Sequence, residues 1–193
     1  EGSLHGCNVE LIKFVQYLSY AKKIGKKTAI INHSLQFDNK KAKKYLENLY
    51  TYSDINYFRE ELSLNNSHQI NVKNSFLVPD AAFLNYEIDT SYLMIEGIPL
   101  KYIASSGSVV LKEDNRKYFD LLYKLGKYFN LPIVFIASCA VDKSFKELVT
   151  KEYEFTYYDE TQLSVAQVQK AIKESEFFYS GRFHLNIFSA TVG

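Results

Sequence analysis

The chain has 193 residues and a formal net charge of +1 at pH 7, and 47% of its residues are hydrophobic. That composition is typical of a folded globular protein and excludes a disordered chain. The 23 Lys and Arg residues nearly balance the 22 Asp and Glu residues, so bulk charge gives no case for nucleic acid or a membrane surface as a partner.

Cysteine content and targeting signals indicate the compartment. Cys7 and Cys139 lie far apart in the sequence without metal-binding spacing, and Cys139 falls in an apolar run, so we expect buried free thiols in a reducing compartment. No signal peptide is visible, and no apolar stretch approaches the roughly 20 residues of a membrane-spanning helix. We therefore expect a cytoplasmic protein without a membrane span.

The first part of the chain alternates strands with helices. Residues 1–6 read as a loop whose preceding strand lies outside the sequence. Apolar residues at helical spacing predict a helix over 8–22. The elements expected after it are a strand over 28–32, a helix over 39–50, a strand over 55–58, a helix start over 59–65 and a strand over 75–78. Residues 85–99 show no clear period and are expected to form a connection.

The alternation restarts after this break. The expected elements are a strand over 102–106, a helix over 115–129, a strand over 131–138, a helical segment over 144–149, a strand over 155–158 and a helix over 163–175. Ser164 is a suitable N-cap for the last of these helices. Residues 177–184 then read as a buried strand, a tight turn and the start of another helix.

Apolar strands that alternate with amphipathic helices imply parallel sheets covered on both faces. Two such runs predict an α/β protein of two doubly wound Rossmann-like domains, incomplete at both ends. Residues 1–88 would be the C-terminal part of the first domain, residues 89–100 the connection, and residues 101–193 a truncated second domain.

Polar side chains follow several predicted strands directly, at the edge of a parallel sheet where ligands bind. The candidates are Ser3, His33, Ser34, Arg59, Asp80, residues 105–108, Arg182 and His184. Each is a weak signal by itself. A lone arginine there more often makes an ion pair, a lone histidine is more often structural, and Asp80 after a proline is more often a turn or helix cap.

Arg182 and His184 are the strongest candidates because they lie where a helix begins. The free N–H groups and positive dipole of a helix start favour anions, so this pair predicts a phosphate or carboxylate site. The chain lacks the G-x-G-x-x-G, P-loop, H-E-x-x-H and G-x-S-x-G motifs. Its aspartates have no metal-binding spacing, so no metal is expected.

Four stretches, in order over nearly the whole chain, resemble signatures of the polysaccharide pyruvyl transferase family. Residues 180–184 resemble its S-x-R-[LF]-H signature, and residues 57–63 resemble a strand followed by R-[DE]-x-x-S. Residues 77–83 resemble V-P-D-P-A-F, with Ala81 in place of the usual proline. Residues 1–5 resemble a variant of its glycine-rich loop, with the following strand end at 31–34.

The resemblance implies a glycosyltransferase-B-like fold and transfer of pyruvate from phosphoenolpyruvate onto two hydroxyls of a glycan sugar, giving a ketal. Phosphoenolpyruvate would be the donor substrate, and no cofactor is implied. Two residues are assigned to catalysis, His184 as general acid and base and Arg182 as a holder of the donor's anionic groups. The residues assigned to substrate binding are Arg59, Ser180, Ser34 and Ser3. Asp80 is expected to be structural.

Two alternative functions stay open. In a nucleotide-sugar-dependent glycosyltransferase of the same fold, Arg182 would bind a diphosphate. An acidic residue of the second domain would then bind the ribose, and the nearby candidates are Glu152, Glu154, Asp159 and Glu160. The other alternative is a non-catalytic binding domain with a degenerate site. The expected partners are phosphoenolpyruvate and a glycan acceptor, and the sequence implies no particular oligomeric state.

Overall fold

The structure is a computed structural model that describes residues 2–5, 9–84, 90–108 and 115–192. The chain divides into two compact units, Glu1–Leu84 and Asn85–Gly193. Each unit contains a four-stranded parallel sheet within its described residues. The expected α/β fold with parallel sheets is therefore confirmed. The predicted domain bounds, and the prediction that both domains are doubly wound and incomplete, stay predictions.

The first unit has strand order β1-β2-β3-β4. Its strands are β1 (Gly2–His5), β2 (Ala29–Gln36), β3 (Ile55–Phe58) and β4 (Ser75–Leu77). Its helices are α1 (Val9–Lys23), α2 (Lys40–Thr51), α3 (Glu61–Gln69) and a 3₁₀ turn over Ala81–Leu84. Asn39 caps α2 by accepting from the Ala42 backbone N–H at 2.9 Å, which satisfies one of the free donors of the first turn.

The core of the first unit forms between the sheet and its helices. Leu35 from β2 and Phe58 from β3 meet Leu46 and Leu49 from α2, and all four are at most 1% exposed. Burial of each such side chain contributes roughly 1.5–3 kcal/mol to stability. This core fixes β2 and β3 next to each other, and it therefore fixes the residues at their carboxyl ends.

The second unit has strand order β7-β6-β5-β8. Its strands are β5 (Ile103–Ser108), β6 (Ile133–Ile136), β7 (Thr156–Tyr158) and β8 (Phe177–Gly181). Its helices are α4 (Asn115–Phe129), α5 (Ala140–Lys143), α6 (Val165–Lys173), α7 (Phe183–Val192) and a π-helical turn over Leu148–Glu152. Ser164 caps α6 through a capping box with Gln167, as its position before the apolar period predicts.

Successive residues of the central strands in the second unit face opposite cores. Ile103 and Phe135 belong to one buried cluster, whereas Ala104 and Val134 belong to another. Because side chains alternate across a strand, the two clusters lie on opposite faces of the sheet. This sheet is covered on both faces, as its continuous apolar strands predict.

Two local expectations are wrong. Gly2–His5 form strand β1, not a loop, because they pair in parallel with residues 33–36 of β2. The predicted strand over 28–32 continues to Gln36 through a register shift between Ile30 and His33, so His33 and Ser34 lie within it. The helical segment predicted over 144–149 is confirmed over residues 146–149, and the short helix α5 precedes it while a π-helical turn extends it to Glu152.

Candidate functional site

A cluster of polar side chains lies at the carboxyl ends of the strands in the first unit. Arg59 directly follows β3 and donates through Nε to Ser34 Oγ at 2.8 Å and through Nη1 to Asp80 Oδ2 at 3.0 Å. Asp80 follows β4 and is 2% exposed, and the Arg59 side chain is 11% exposed. A carboxylate this deeply buried is stable next to the guanidinium and orients it in return. Ser34, Arg59 and Asp80 therefore lie together.

Glu60 joins the same cluster. Its Oε2 accepts from Ser34 Oγ at 3.0 Å and lies 3.5 Å from Arg59 Nε, and its Oε1 accepts from the Ser63 hydroxyl. A serine hydroxyl has one proton. In this arrangement Ser34 donates a hydrogen bond to Glu60 and accepts one from Arg59. Its predicted donation to a substrate would therefore require the hydroxyl to break its hydrogen bond with Glu60.

His33, one residue before Ser34, is a core residue with a side chain that is 3% exposed. A hydrogen bond of 2.7 Å joins its Nε2 to the Tyr50 hydroxyl, and its ring lies 4.6 Å from that of Phe58. Burial lowers the pKa of His33 from 6.5 to about 4. His33 is therefore neutral at pH 7 and structural, as a lone histidine usually is.

In the second unit Arg182, the residue directly after β8, pairs with Asp142 of α5. Arg182 donates through Nε to Asp142 Oδ2 at 3.0 Å and through Nη2 to Asp142 Oδ1. The Asp142 side chain is completely buried, and its Oδ2 also accepts from the backbone N–H and hydroxyl of Ser138, at 3.1 and 3.0 Å. Burial acts to lower the pKa of Arg182, but the hydrogen bond and charge of Asp142 outweigh it and raise that pKa.

Two glycines leave room around this pair. A Cβ atom on Gly107 of β5 would lie 1.9 Å from Asp142 Oδ1, and one on Gly181 of β8 would lie 2.4 Å from the Cβ of Ser108. Both distances are far below van der Waals contact. Small residues are therefore required where β5 and β8 end.

Residues 105–108 belong to strand β5, which continues two residues beyond its predicted end at 106, so these candidates lie within the strand and do not follow it. Ser105 and Ser106 are fully buried, and the Ser106 hydroxyl donates to the Ile136 carbonyl at 2.6 Å. Because this hydroxyl links β5 to β6, Ser106 serves strand packing.

Ser180 and His184 lie on either side of the turn between β8 and α7. Ser180 Oγ accepts from the Arg182 backbone N–H at 2.9 Å, and the Arg182 carbonyl accepts the first helical bond, from Asn186 N–H at 3.0 Å. His184 is the second residue of α7, half-buried, with its ring against that of Phe183 and its Nε2 atom buried. Proton transfer to a substrate would therefore use Nδ1 or need a shift of this first turn.

The chain has three arginines, and the third gives a surface comparison. Arg116 makes a bidentate pair with Glu152 at 2.7 and 3.1 Å, but its side chain is 65% exposed. Exposed pairs of this kind contribute about 0–1 kcal/mol, whereas breaking a buried pair costs about 3–5 kcal/mol. Arg59 and Arg182 therefore differ from Arg116 in the burial of the carboxylate that holds them.

Asp142 and Glu60 are the two site residues that the sequence does not single out. An aspartate four residues after Ser138, just past an apolar strand, is the signal that indicates Asp142.

Ser3 lies in β1 directly opposite Ser34 in register, and its side chain is outside the described part of the structure. Cys139 is half-buried and lies beside Arg182, whereas we expected a buried thiol.

The described residues, 2–5, 9–84, 90–108 and 115–192, also bear on metal binding and membrane insertion. Within those ranges no group of three or more His, Cys, Asp or Glu side chains could hold a metal ion. None of the helices described there combines the length and the apolar character that crossing a membrane requires.

Together these features define an α/β protein in which arginines on buried aspartates lie where parallel strands end, the edge at which such folds bind anionic ligands. The chain belongs to the polysaccharide pyruvyl transferase family, whose family model matches residues 8–193. The resemblance to this family of transferases is therefore confirmed, and the stretches at 57–63, 77–83 and 180–184 lie within the matched residues, whereas residues 1–5 lie outside them. A comparison with curated proteins found no match.

Solved structures with a similar fold include UDP-N-acetylglucosamine 2-epimerase from Rickettsia bellii. The chain is 14% identical to it with a TM-score of 0.53, over 93% of this chain and 50% of the epimerase. TarM is 15% identical with a TM-score of 0.47, over 87% of this chain and 39% of TarM. The chain thus spans half the length of the epimerase and less than half the length of TarM. At 14% identity the epimerase supports the fold alone.

Proposed function

We propose that this chain provides the donor site of a polysaccharide pyruvyl transferase, which moves a pyruvyl group from phosphoenolpyruvate onto two hydroxyls of a glycan sugar. The observation that carries the proposal is the Arg182 guanidinium, fixed by buried Asp142 at the end of β8 and next to the start of α7. A donor with a phosphate and a carboxylate needs such oriented N–H groups. The doubly wound, glycosyltransferase-B-like architecture is part of the same proposal.

The chemistry needs one proton donor and one acceptor. A proton adds to the methylene carbon of the donor, and a sugar hydroxyl attacks the neighbouring carbon. Phosphate leaves with the electrons of its C–O bond, and a second hydroxyl attacks the same carbon to close the ketal. Of the two hydroxyl protons, one balances the new methyl group and the other leaves with phosphate. The donor itself brings the transferred group, so the proposed reaction uses no separate cofactor.

The proposed roles follow the positions of the side chains. Arg182 holds an anionic group of the donor, and Arg59 is a substrate contact of the first unit, because each guanidinium is oriented at a strand end. Ser180 keeps its hydroxyl proton for a substrate, since its Oγ accepts from the Arg182 N–H. His184 moves protons, because an imidazole can both donate and accept a proton. Ser34 and Ser3 remain proposed substrate contacts.

A nucleotide-sugar donor is less well supported. Three of the four acidic residues considered for the ribose already have partners: Glu152 pairs with Arg116, Glu160 with Lys143, and Asp159 accepts from Thr161. Such exposed contacts are weak, so they count against a nucleotide-sugar site without excluding it.

The half-buried free thiol of Cys139 supports a reducing compartment, and we propose a cytoplasmic location.

Ligand-dependent thermal stabilisation is the first test. We expect phosphoenolpyruvate to raise the melting temperature and nucleotide sugars to leave it unchanged. The Arg182→Ala variant should lose this stabilisation, and the matched surface variant Arg116→Ala should keep it. Stabilisation by nucleotide sugars alone would favour a glycosyltransferase, and none by either ligand would favour a binding domain with a degenerate site.

Mass spectrometry of a glycan acceptor incubated with phosphoenolpyruvate is the decisive test. Ketal formation is expected with the unaltered chain and is expected to stop in His184→Ala while donor binding persists. Full activity of His184→Ala would overturn the assignment of proton transfer to His184.

A further inference from the structure

We propose that Asp142 is a positioning residue for the donor site, acting only through the orientation of Arg182. This inference rests on the proposed function for the identity of the donor, but the pairing itself is read directly from the structure. Arg182 presents its Nε and Nη2 side to the Asp142 carboxylate, with the two nitrogens on different oxygens. That is the planar fork geometry that fixes a guanidinium in one orientation.

The Asp142 carboxylate is itself held rigidly. Its Oδ2 accepts from Arg182 Nε and from both the N–H and the hydroxyl of Ser138, so three donors converge on one oxygen. The side chain has no exposed surface. Because a buried carboxylate must be hydrogen-bonded to remain charged, this network keeps Asp142 in one place. Arg182 is therefore fixed relative to β6 as well as to β8.

The available space suits aspartate. Gly107 approaches Asp142 Oδ1 so closely that a Cβ at this position would lie 1.9 Å from the oxygen. One methylene more at position 142 would push the carboxylate toward β5 or break its bonds with Ser138. The pocket therefore takes a carboxylate of the length of aspartate.

The fork leaves the opposite end of the guanidinium for a ligand. With the Nε side turned to Asp142, the end that carries Nη1 points away from the carboxylate, since the guanidinium is planar. A phosphate or carboxylate group of the donor would meet this end. The Arg182 side chain is 12% exposed, and the Cys139 side chain also contacts it.

The direction in which Asp142→Asn changes donor affinity distinguishes a positioning role from a purely electrostatic one. Asp142→Asn removes a negative charge from the site, and this would by itself strengthen the binding of an anionic donor. A positioning residue predicts the opposite, because asparagine cannot accept from both Nε and Nη2 of Arg182. Weaker donor binding in Asp142→Asn therefore supports positioning against the electrostatic trend.

The first experiment is NMR of ¹⁵N-labelled arginine side chains, which gives three Nε–H signals for Arg59, Arg116 and Arg182. In the unaltered chain we expect the Arg182 signal to be protected from exchange with water. Asp142→Asn should shift that signal and remove its protection. The matched control Glu152→Gln breaks the exposed pair and should move the Arg116 signal alone. An Arg182 signal unchanged in Asp142→Asn would overturn the proposal.

The second experiment is calorimetric titration with phosphoenolpyruvate. We expect Asp142→Asn to weaken binding by about tenfold, in the range of effects of misplaced site groups. In an Arg182→Ala background, Asp142→Asn should cause no further loss. A further loss there would show that Asp142 acts on the fold itself, and tighter binding in Asp142→Asn would show an electrostatic role. Either result would overturn positioning.

If Asp142→Asn fails to fold, Arg182→Lys provides a second test of the fork. It keeps both charges but cannot form the fork, so it should also weaken donor binding while circular dichroism melting stays cooperative. Unweakened binding in Arg182→Lys would overturn the need for the fork. If the unaltered chain does not bind phosphoenolpyruvate, the proposed function fails. The same variants titrated with inorganic phosphate, together with the Arg182 NMR signal, then decide the positioning role alone.

Discussion

Protonation of His33 should destabilise the first unit as pH falls. This histidine of β2 is buried against α2, and its Nε2 is hydrogen-bonded to the hydroxyl of Tyr50 in α2 at 2.7 Å. Burial is the largest cause of its lowered pKa. The Tyr57 carbonyl acts in the opposite direction, and the positive charge of Arg59 lowers the pKa further, to about 4.

The sign and size of the effect follow from proton linkage. The unfolded chain takes up a proton on His33 near its ordinary pKa of 6.5, whereas the folded chain does so only near 4. The contribution of neutral His33 to stability is therefore complete above pH 6.5 and is lost as pH falls from 6.5 toward 4. The loss is about 2 kcal/mol at pH 5 and reaches about 3 kcal/mol below pH 4. That is a large part of the roughly 5–15 kcal/mol that stabilises a typical domain.

Urea unfolding at pH 7.5 and pH 5 measures this loss. His33→Gln should unfold more easily at pH 7.5 but should show about 2 kcal/mol less pH dependence between the two conditions. The matched control His68→Gln changes an exposed histidine of α3 and should keep the dependence of the unaltered chain. In NMR titration of the histidine ring protons, the signal that is absent in His33→Gln should have a midpoint near pH 4. An equal pH dependence in His33→Gln, or a midpoint near 6.5 for that signal, would refute the reasoning.

Three further changes test the packing and capping around the sites. Gly107→Ala should lower the free energy of unfolding by about 1–3 kcal/mol and shift the Arg182 Nε–H signal, because the new Cβ overlaps Asp142; an unchanged urea midpoint and signal would contradict this. Ser164→Ala should cost about 1 kcal/mol through the lost cap of α6 while donor affinity stays the same, so a change in calorimetric affinity would count against a purely local role. Asp80→Asn should cost about 3 kcal/mol in urea unfolding because it removes the buried carboxylate that pairs with Arg59, and a cost below 1 kcal/mol would place this pair with exposed ones.

The parallel α/β fold was predictable because its signals are local and periodic. The strand over Ile55–Phe58 and the helix over Asn115–Phe129 have the bounds that their apolar pattern predicts. Ser164 was recognisable as a cap because serine before an apolar helical period has few other roles. The group formed by Arg59 and Asp80 was predictable in outline, because both follow strands of one parallel sheet.

The misses have physical causes. Strand β1 contains polar and small residues, and its pairing with β2 supplies backbone hydrogen bonds that no local pattern reveals. The extension of β2 passes through Asn32, whose φ of 51° normally indicates a turn. Helix α5 has four residues, too few for a hydrophobic period, so the position of Asp142 had no periodic signal.

The partnership between Arg182 and Asp142 depends on contacts across the fold. The two residues are 40 positions apart, and their contact crosses the end of β5, which lies between β6 and β8. Strand order follows from tertiary packing, which sequence periodicity leaves open. A sequence therefore indicates which side chains end a strand more readily than which of them touch.

The same arrangement recurs in each unit and bears on the kind of ligand. Arg59 and Arg182 each directly follow a strand, and each is bound by a buried aspartate from the segment after another strand of the same sheet, the adjacent strand β4 for Arg59 and the next but one, β6, for Arg182. If attraction of any anion were sufficient, an unpaired arginine would serve better, because a nearby carboxylate cancels much of its field. A buried partner has a different effect: it fixes which N–H groups face outward. The pairing therefore favours a ligand bound in one orientation, which the proposed donor would need for its reacting carbon to meet a sugar hydroxyl.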